Sequence, residues 1–116
     1  MDIKEIHRRL AEFARARDWD QFHSPKNLSM ALAAEAGELL EIFRWLTEQE
    51  SKEISNSRET IAAAKEEIAD IFIFLARLAD KLGIDIEKAV LEKIAVNEEK
   101  YPVAKCKGKH TKYDNL

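Results

Sequence analysis

Three observations predict an all-α fold, an antiparallel bundle of about four helices. The first is composition. Ala, Leu, Ile, Glu and Lys dominate a chain of 116 residues with only three Gly and two Pro. That is rich in helix formers and poor in the turn formers that an all-β chain needs. The second is periodicity: apolar residues return every 3.6 positions through four long stretches. The third is connection length, because short links between long helices make sequential helices antiparallel neighbours. The length suits one domain, and a hydrophobic fraction of 46% beside a charged fraction of 35% reads as globular.

The first helix is expected from about Asp2 to Arg17, with Ile3, Ile6, Leu10 and Phe13 on one stripe. A short link, Asp18 to Ser24, follows. Ser24-Pro25 is a strong helix start: the hydroxyl can cap free N–H groups, and proline suits the first helical position. The second helix is expected to run to about Thr47. Residues 48–56 are polar and aperiodic, and are expected to form a loop. The third helix is expected from about Ser57 to Leu82, with Gly83 as a left-handed cap. Asp85 can cap the fourth, which runs to about Lys100 before Pro102 blocks continuation. Residues 1–104 form the expected helical domain, and residues 105–116 a basic, mobile tail.

Several function classes are excluded. Met1 to Leu10 carries charges of both signs and no apolar core, so no signal peptide is expected. The longest purely apolar run, Ile71 to Ala76, is too short to cross a bilayer. A single cysteine, Cys106, forms no internal disulfide and belongs to no zinc pattern. A cytoplasmic location is the expectation. Residues 105–116 hold four Lys and one Asp, net +3, whereas the rest holds 15 basic and 21 acidic residues, net −6. An acidic body is a poor partner for nucleic acid. The tail lysines are either a solvated end or partners for the phosphates of a bound ligand.

The chemistry lies in four acids. On the second helix, Leu28, Leu32, Leu39, Phe43 and Leu46 set the apolar arc, and Glu35 falls inside it. Glu38 lies about 60° around the helix, at the arc's edge, so both can reach one point. On the third helix, Ile61, Ile68, Ile71, Leu75 and Leu82 set the arc, with Glu67 on its flank and Asp70 just beyond. Each central helix thus carries an acidic i,i+3 pair near its buried seam. Unpartnered ionised carboxylates are costly there, and converging ones repel. They are either protonated or neutralised by a cation, and oxygen-only ligands select Mg²⁺, with Mn²⁺ as the alternative. Di-iron bundles place His at i,i+3 from Glu; here those positions are Glu38 and Asp70, which weighs against iron. The opposing reading is a set of surface acids paired with Lys or Arg.

The fourth helix has an inner stripe of Ile86, Val90, Ile94 and Tyr101, with Lys93 and Asn97 within it. Lys93 can snorkel to solvent or, beside a metal, hold a phosphate. His23 is expected to fix the turn before the second helix, and His7 to serve packing or an interface.

Sequence order then carries a resemblance. Arg17-Asp18-Trp19-Asp20-Gln21-Phe22-His23-Ser24-Pro25 leads into Glu35-Ala36-Gly37-Glu38-Leu39. Phe43-Arg44-Trp45, Glu67-Ile68-Ala69-Asp70 and Lys100-Tyr101-Pro102 follow. Over nearly its whole length the chain resembles the MazG-like all-α nucleoside triphosphate pyrophosphohydrolases, in the branch that includes dCTP pyrophosphatase. The resemblance implies magnesium-dependent hydrolysis of a (deoxy)nucleoside triphosphate to monophosphate and pyrophosphate. It implies that Glu35, Glu38, Glu67 and Asp70 carry the metal, that Trp19 and Trp45 enclose the base, and that Lys93 and Asn97 lie near the phosphates. It also implies a homodimer or homotetramer with sites near subunit interfaces. Leu10 and Phe74 depart from the branch, standing where a nucleotide-binding histidine and a tyrosine are found. Both changes remove polar contacts, leaving dCTP and modified nucleotides open as substrates.

The residues agree with that chemistry. Pyrophosphate release needs neutralised phosphate charge and an aligned water. Glu38, at the seam's edge, is the expected catalytic base. Tryptophan faces stack on any base and supply affinity more than selectivity. Leu40 and Ile73 lie off the core arcs, as subunit contacts would. Two alternatives stay open: a hydrolase of the same fold acting on dUTP or a phosphoribosyl-nucleotide, and a non-enzymatic helical interaction module.

Overall fold

The computed structural model describes residues 1–116, in six α-helices with short 3₁₀ turns and no strand. The helices are α1 (Ile3–Ala16), α2 (Pro25–Phe43), α3 (Glu48–Lys52), α4 (Arg58–Lys81), α5 (Ile86–Lys100) and α6 (Val103–Cys106). The chain packs as two compact units, Met1–Gly83 and Ile84–Leu116. No helix is long and apolar enough to cross a membrane.

Most helix starts are set by capping side chains. Asp2, Ser24, Ser57 and Asp85 each accept a hydrogen bond from the backbone N–H three residues on. Pro25 occupies the first turn of α2. The end of α1 uses a different device. Asp18 adopts φ +56°, and its N–H donates to Arg15 O at 3.1 Å. The Trp19 N–H reaches back to Ala14 O at 2.8 Å. This is a Schellman closure with aspartate where glycine is the usual residue. Gln21 Nε2 donates to both Asp18 O and Asp18 Oδ2 at 3.0 Å, which holds the strained residue in place.

Two boundaries differ from the sequence expectation. The second helix stops at Phe43 rather than near Thr47, and residues 48–56 are not a loop. Thr47 and Glu50 form a reciprocal capping box, with Glu50 N to Thr47 Oγ1 at 3.1 Å and Thr47 N to Glu50 Oε1 at 2.9 Å. A residue that caps a new helix has extended backbone, and Thr47 has ψ 164°, so α2 cannot continue through it. A 3₁₀ turn at Ile54–Asn56 then leads into α4.

In the first unit, α2 packs along α4, and α1 lies against α4 less extensively. Leu28, Ala14, Ala64, Ala76 and Ala79 are the buried apolar residues. Small residues on α4 let the neighbouring backbones approach closely. Asp20, just before α2, pairs with Arg77 near the end of α4, while Glu35 at mid-α2 meets Glu67 at mid-α4. These two contacts run α2 and α4 antiparallel, as expected.

Large apolar side chains remain exposed, including Met30, Leu40, Ile68 and, in the second unit, Val90 and Leu91. Within that second unit, Tyr113 turns back so that its ring lies edge-on to Tyr101, with centroids 6.0 Å apart. Lys100 Nζ sits 4.6 Å from the Tyr113 ring centre.

Candidate active site

The two central helices bring three of the four expected acids together. Glu35 and Glu38 project from adjacent turns of α2, and Glu67 faces them from α4. Oxygen atoms of the three carboxylates lie within 4.8 Å of one another. Asp70 is half-buried one turn along α4 from Glu67 and stands outside this group of three. Glu35 Oε2 and Glu67 Oε2 are buried and have no hydrogen-bond partner. Glu38 is exposed and forms the wet side of the cluster.

Electrostatics follow from that crowding. The nearby Glu67 and Glu38 carboxylates, aided by burial, push Glu35 up to about 7. Close carboxylates share a proton because both cannot ionise cheaply without a cation. No Lys or Arg forms an ion pair with any of the three. The surface-acid reading required such partners. The donor set is oxygen only, with two orphaned buried oxygens, and this fits a hard divalent cation.

The other expected site residues have surroundings of their own. Trp45 lies just past α2 and is 76% exposed, with the Arg44 guanidinium 4.3 Å over its ring. Trp19, in the link between α1 and α2, is 46% exposed and meets Phe13 edge-on at 5.8 Å between centroids. Lys93 and Asn97 are exposed on α5, one turn apart. Leu10 and Phe74 are half-buried. Leu10 lines an apolar groove of about 800 Å³ between α1 and α4, together with Phe13, Ile61, Ile68 and Phe72.

The structure adds a second charged cluster that the sequence reading missed. Arg77 is only 4% exposed, the one buried charged residue. Its Nη2 donates to Asp20 Oδ1 at 2.9 Å and lies 3.4 Å from His23 Nδ1. Lys81 Nζ donates to the same Asp20 oxygen at 2.7 Å. The Lys81 ammonium, with Arg77, holds the Asp20 carboxyl below the usual carboxylate range. Burial, with the nearby Arg77 charge, lowers His23. The one polar contact of the His23 ring is thus to Arg77 on α4 rather than within its own turn. The available signal was Arg77 itself, set between Ala76 and Ala79 where an unpaired cation would be costly.

Comparison with known proteins agrees with this architecture. Residues 30–116 match the model of the MazG-like family. The chain belongs to the MazG-like family. It is 44% identical over 115 residues to dCTP pyrophosphatase 1 of Bos taurus, covering 99% of this chain and 66% of the relative. It is 42% identical to dCTP pyrophosphatase 1 of Homo sapiens over the same shares. The chain thus spans 66% of the length of those relatives. Its fold also matches the crystal structure of a pyrophosphatase from Archaeoglobus fulgidus, with a TM-score of 0.80 and 39% identity. That match covers 88% of this chain and 94% of the archaeal one. In this chain the acids stand in the order Glu-x-x-Glu then Glu-x-x-Asp, on the two helices that form the centre of its first unit.

Proposed function

We propose that this chain is a divalent-metal-dependent nucleoside triphosphate pyrophosphohydrolase. It converts a (deoxy)nucleoside triphosphate, dCTP or a modified nucleotide, to the monophosphate and pyrophosphate. The observation that carries the reading is the Glu35, Glu38 and Glu67 cluster with its two buried, unpartnered oxygens. Similarity to the dCTP pyrophosphatases supplies the substrate class.

Glu35, Glu38, Glu67 and Asp70 would hold Mg²⁺, or Mn²⁺, when it is bound. When bound, the ion supplies Lewis acidity and neutralises phosphate charge. Glu38 is exposed, so water can reach it, and it takes the proton of the attacking water. Transfer of that proton leaves a hydroxide to attack phosphorus, and pyrophosphate departs with the electrons of the broken P–O bond. Trp19 and Trp45 stack on the base, and Lys93 and Asn97 contact the phosphates. Leu10 and Phe74 offer no hydrogen bond where the related branch has polar groups, so the pocket favours apolar contact with the base. The lysines of residues 105–116 add positive charge for a bound triphosphate.

The chain works as a homodimer or homotetramer in the cytoplasm. Leu40 at 61% exposure, with Met30 and Ile68, leaves apolar surface of the kind that subunit contacts cover. The test is product analysis of a panel of canonical and modified triphosphates with Mg²⁺. Equal yields of monophosphate and pyrophosphate support the reading. Release of orthophosphate, or no turnover of any triphosphate, contradicts it.

A further inference from the structure

The start of the Asp18 to Ser24 link is anchored on both sides of the Trp19 side chain. On one side, the Trp19 N–H is fixed to Ala14 O at 2.8 Å by the closure of α1. On the other, the adjacent Asp20 carboxylate reaches across to α4, where Arg77 and Lys81 both donate to Oδ1. The sequence separations are 57 and 61 residues, so these are tertiary tethers rather than local turn bonds. Arg77 is poorly placed to be anything else. It is buried, its Nη1 lies 3.7 Å from Asp80, and its Nε has no partner. Burying a guanidinium is costly, and the fold retains it where it holds this link.

The Trp19 ring meets Phe13 edge-on and is about half open to solvent. Phe13 is in turn covered by the Arg17 guanidinium, 3.6 Å from its ring centre. A ring with one aromatic neighbour depends on its backbone for direction. That backbone is set by Asp18 at φ +56° before it and by the tethered Asp20 after it. Releasing Asp20 frees one of the two anchors and lets the ring sample other directions.

We propose that Arg77 and Lys81 are positioning residues that act through Asp20 to hold the Trp19 ring in the orientation that stacks on the nucleobase. They touch neither base nor phosphate, and their contribution is to nucleotide affinity rather than to P–O cleavage. The inference rests on the reading of Trp19 as a base contact.

The test uses the full chain. Arg77→Leu removes a buried side chain and can fail to fold, so the deciding variants are Asp20→Asn and Lys81→Met at the more exposed end. Each is expected to raise KM for the best triphosphate roughly fivefold or more, with kcat within about twofold, because lost stacking weakens ground-state and transition-state binding alike. In a Trp45→Phe background, where Trp19 is the only tryptophan, both variants red-shift its emission and increase acrylamide quenching. The double variant Asp20→Asn/Lys81→Met raises KM no further than Asp20→Asn alone, since both break one tether. Asp20→Glu, which keeps the charge, recovers part of the affinity.

Four results overturn the proposal. One is an unchanged KM and unchanged Trp19 emission in both single variants. Another is a fall in kcat with KM unmoved. The third separates this proposal from the function it rests on: if Trp19→Ala raises KM while Asp20→Asn and Lys81→Met do not, the tether alone is wrong. If Trp19→Ala leaves KM unchanged while hydrolysis continues, the base-contact reading is wrong and the tether proposal falls with it.

Discussion

The molecule holds two clusters of charge on α4, about three to four turns apart along the helix, and they are built on opposite principles. Toward the C-terminal end, Arg77 and Lys81 meet Asp20, with cations and anion in contact. At mid-helix, Glu35, Glu38 and Glu67 meet one another without a cation among them. The same chain that satisfies Asp20 twice leaves two glutamate oxygens buried and alone. Paired charge tethers one segment to another. Unpaired charge of one sign is a cost that a shared proton or a bound cation offsets.

The largest expected effect breaks this contrast at the acidic end. If Glu35 is a ligand to a catalytic ion, as proposed, Glu35→Gln should lower kcat/KM by roughly a hundredfold or more. The same change should raise the Tm of the metal-free protein, since it removes one of three repelling carboxylates. A variant that destroys activity and stabilises the apo fold is the signature of a ligand site. Loss of both together would mark Glu35 as a structural residue.

Proton and metal should next compete visibly. Glu35 is raised to about 7, so in the metal-free fold it keeps a proton that the unfolded chain has already lost. The native state therefore binds more protons between the ordinary glutamate value and about 7. Apo stability is greatest below that window and falls as pH rises through it. Mg²⁺ should abolish the fall, and its affinity should rise with pH up to about 7 and then level off. Melting curves in EDTA and in Mg²⁺, from pH 5 to pH 8, measure both trends.

At the paired end the signs reverse. Arg77→Leu should destabilise the fold by about 1–3 kcal/mol, because Asp20 and His23 lose a buried hydrogen-bond donor. Mg²⁺ should still raise its Tm. The smallest effect concerns acid. Asp20 is held below its usual range by Lys81 and Arg77, so its stabilisation is present above the unfolded carboxylate value. It is lost as pH falls through the lower folded value, and the effect is small because Asp20 is exposed. Asp20→Asn should flatten the acid limb of the stability curve slightly without moving the limb near pH 7.

The two clusters also differ in how legible they were. Glu35 could be singled out from sequence because a helix has one period, and an acid inside its apolar arc has no local excuse. The helix starts at Ser24, Ser57 and Asp85 were readable for the same reason, since capping acts over three residues. The Thr47–Glu50 box is an equally local signal, and overlooking it extended α2 too far and dissolved α3 into a loop. The Asp20–Arg77 pair spans 57 residues, and nothing in the local pattern says which acid a buried arginine will meet. Asp70 shows the limit of helical wheels. An i,i+3 spacing from Glu67 puts it on a neighbouring face, but convergence depends on where α2 lies. The structure draws only Glu67 into the group of three.

If the acidic cluster binds a divalent cation, that binding is measurable without substrate. Calorimetric titration of Mg²⁺ into the metal-free protein at pH 7.5, wild type beside Glu67→Gln, tests it most directly. Wild type should bind saturably and the variant at least about tenfold more weakly, both without nucleotide. Equal Mg²⁺ affinity in the two proteins, or no binding to wild type even with a triphosphate present, would contradict it.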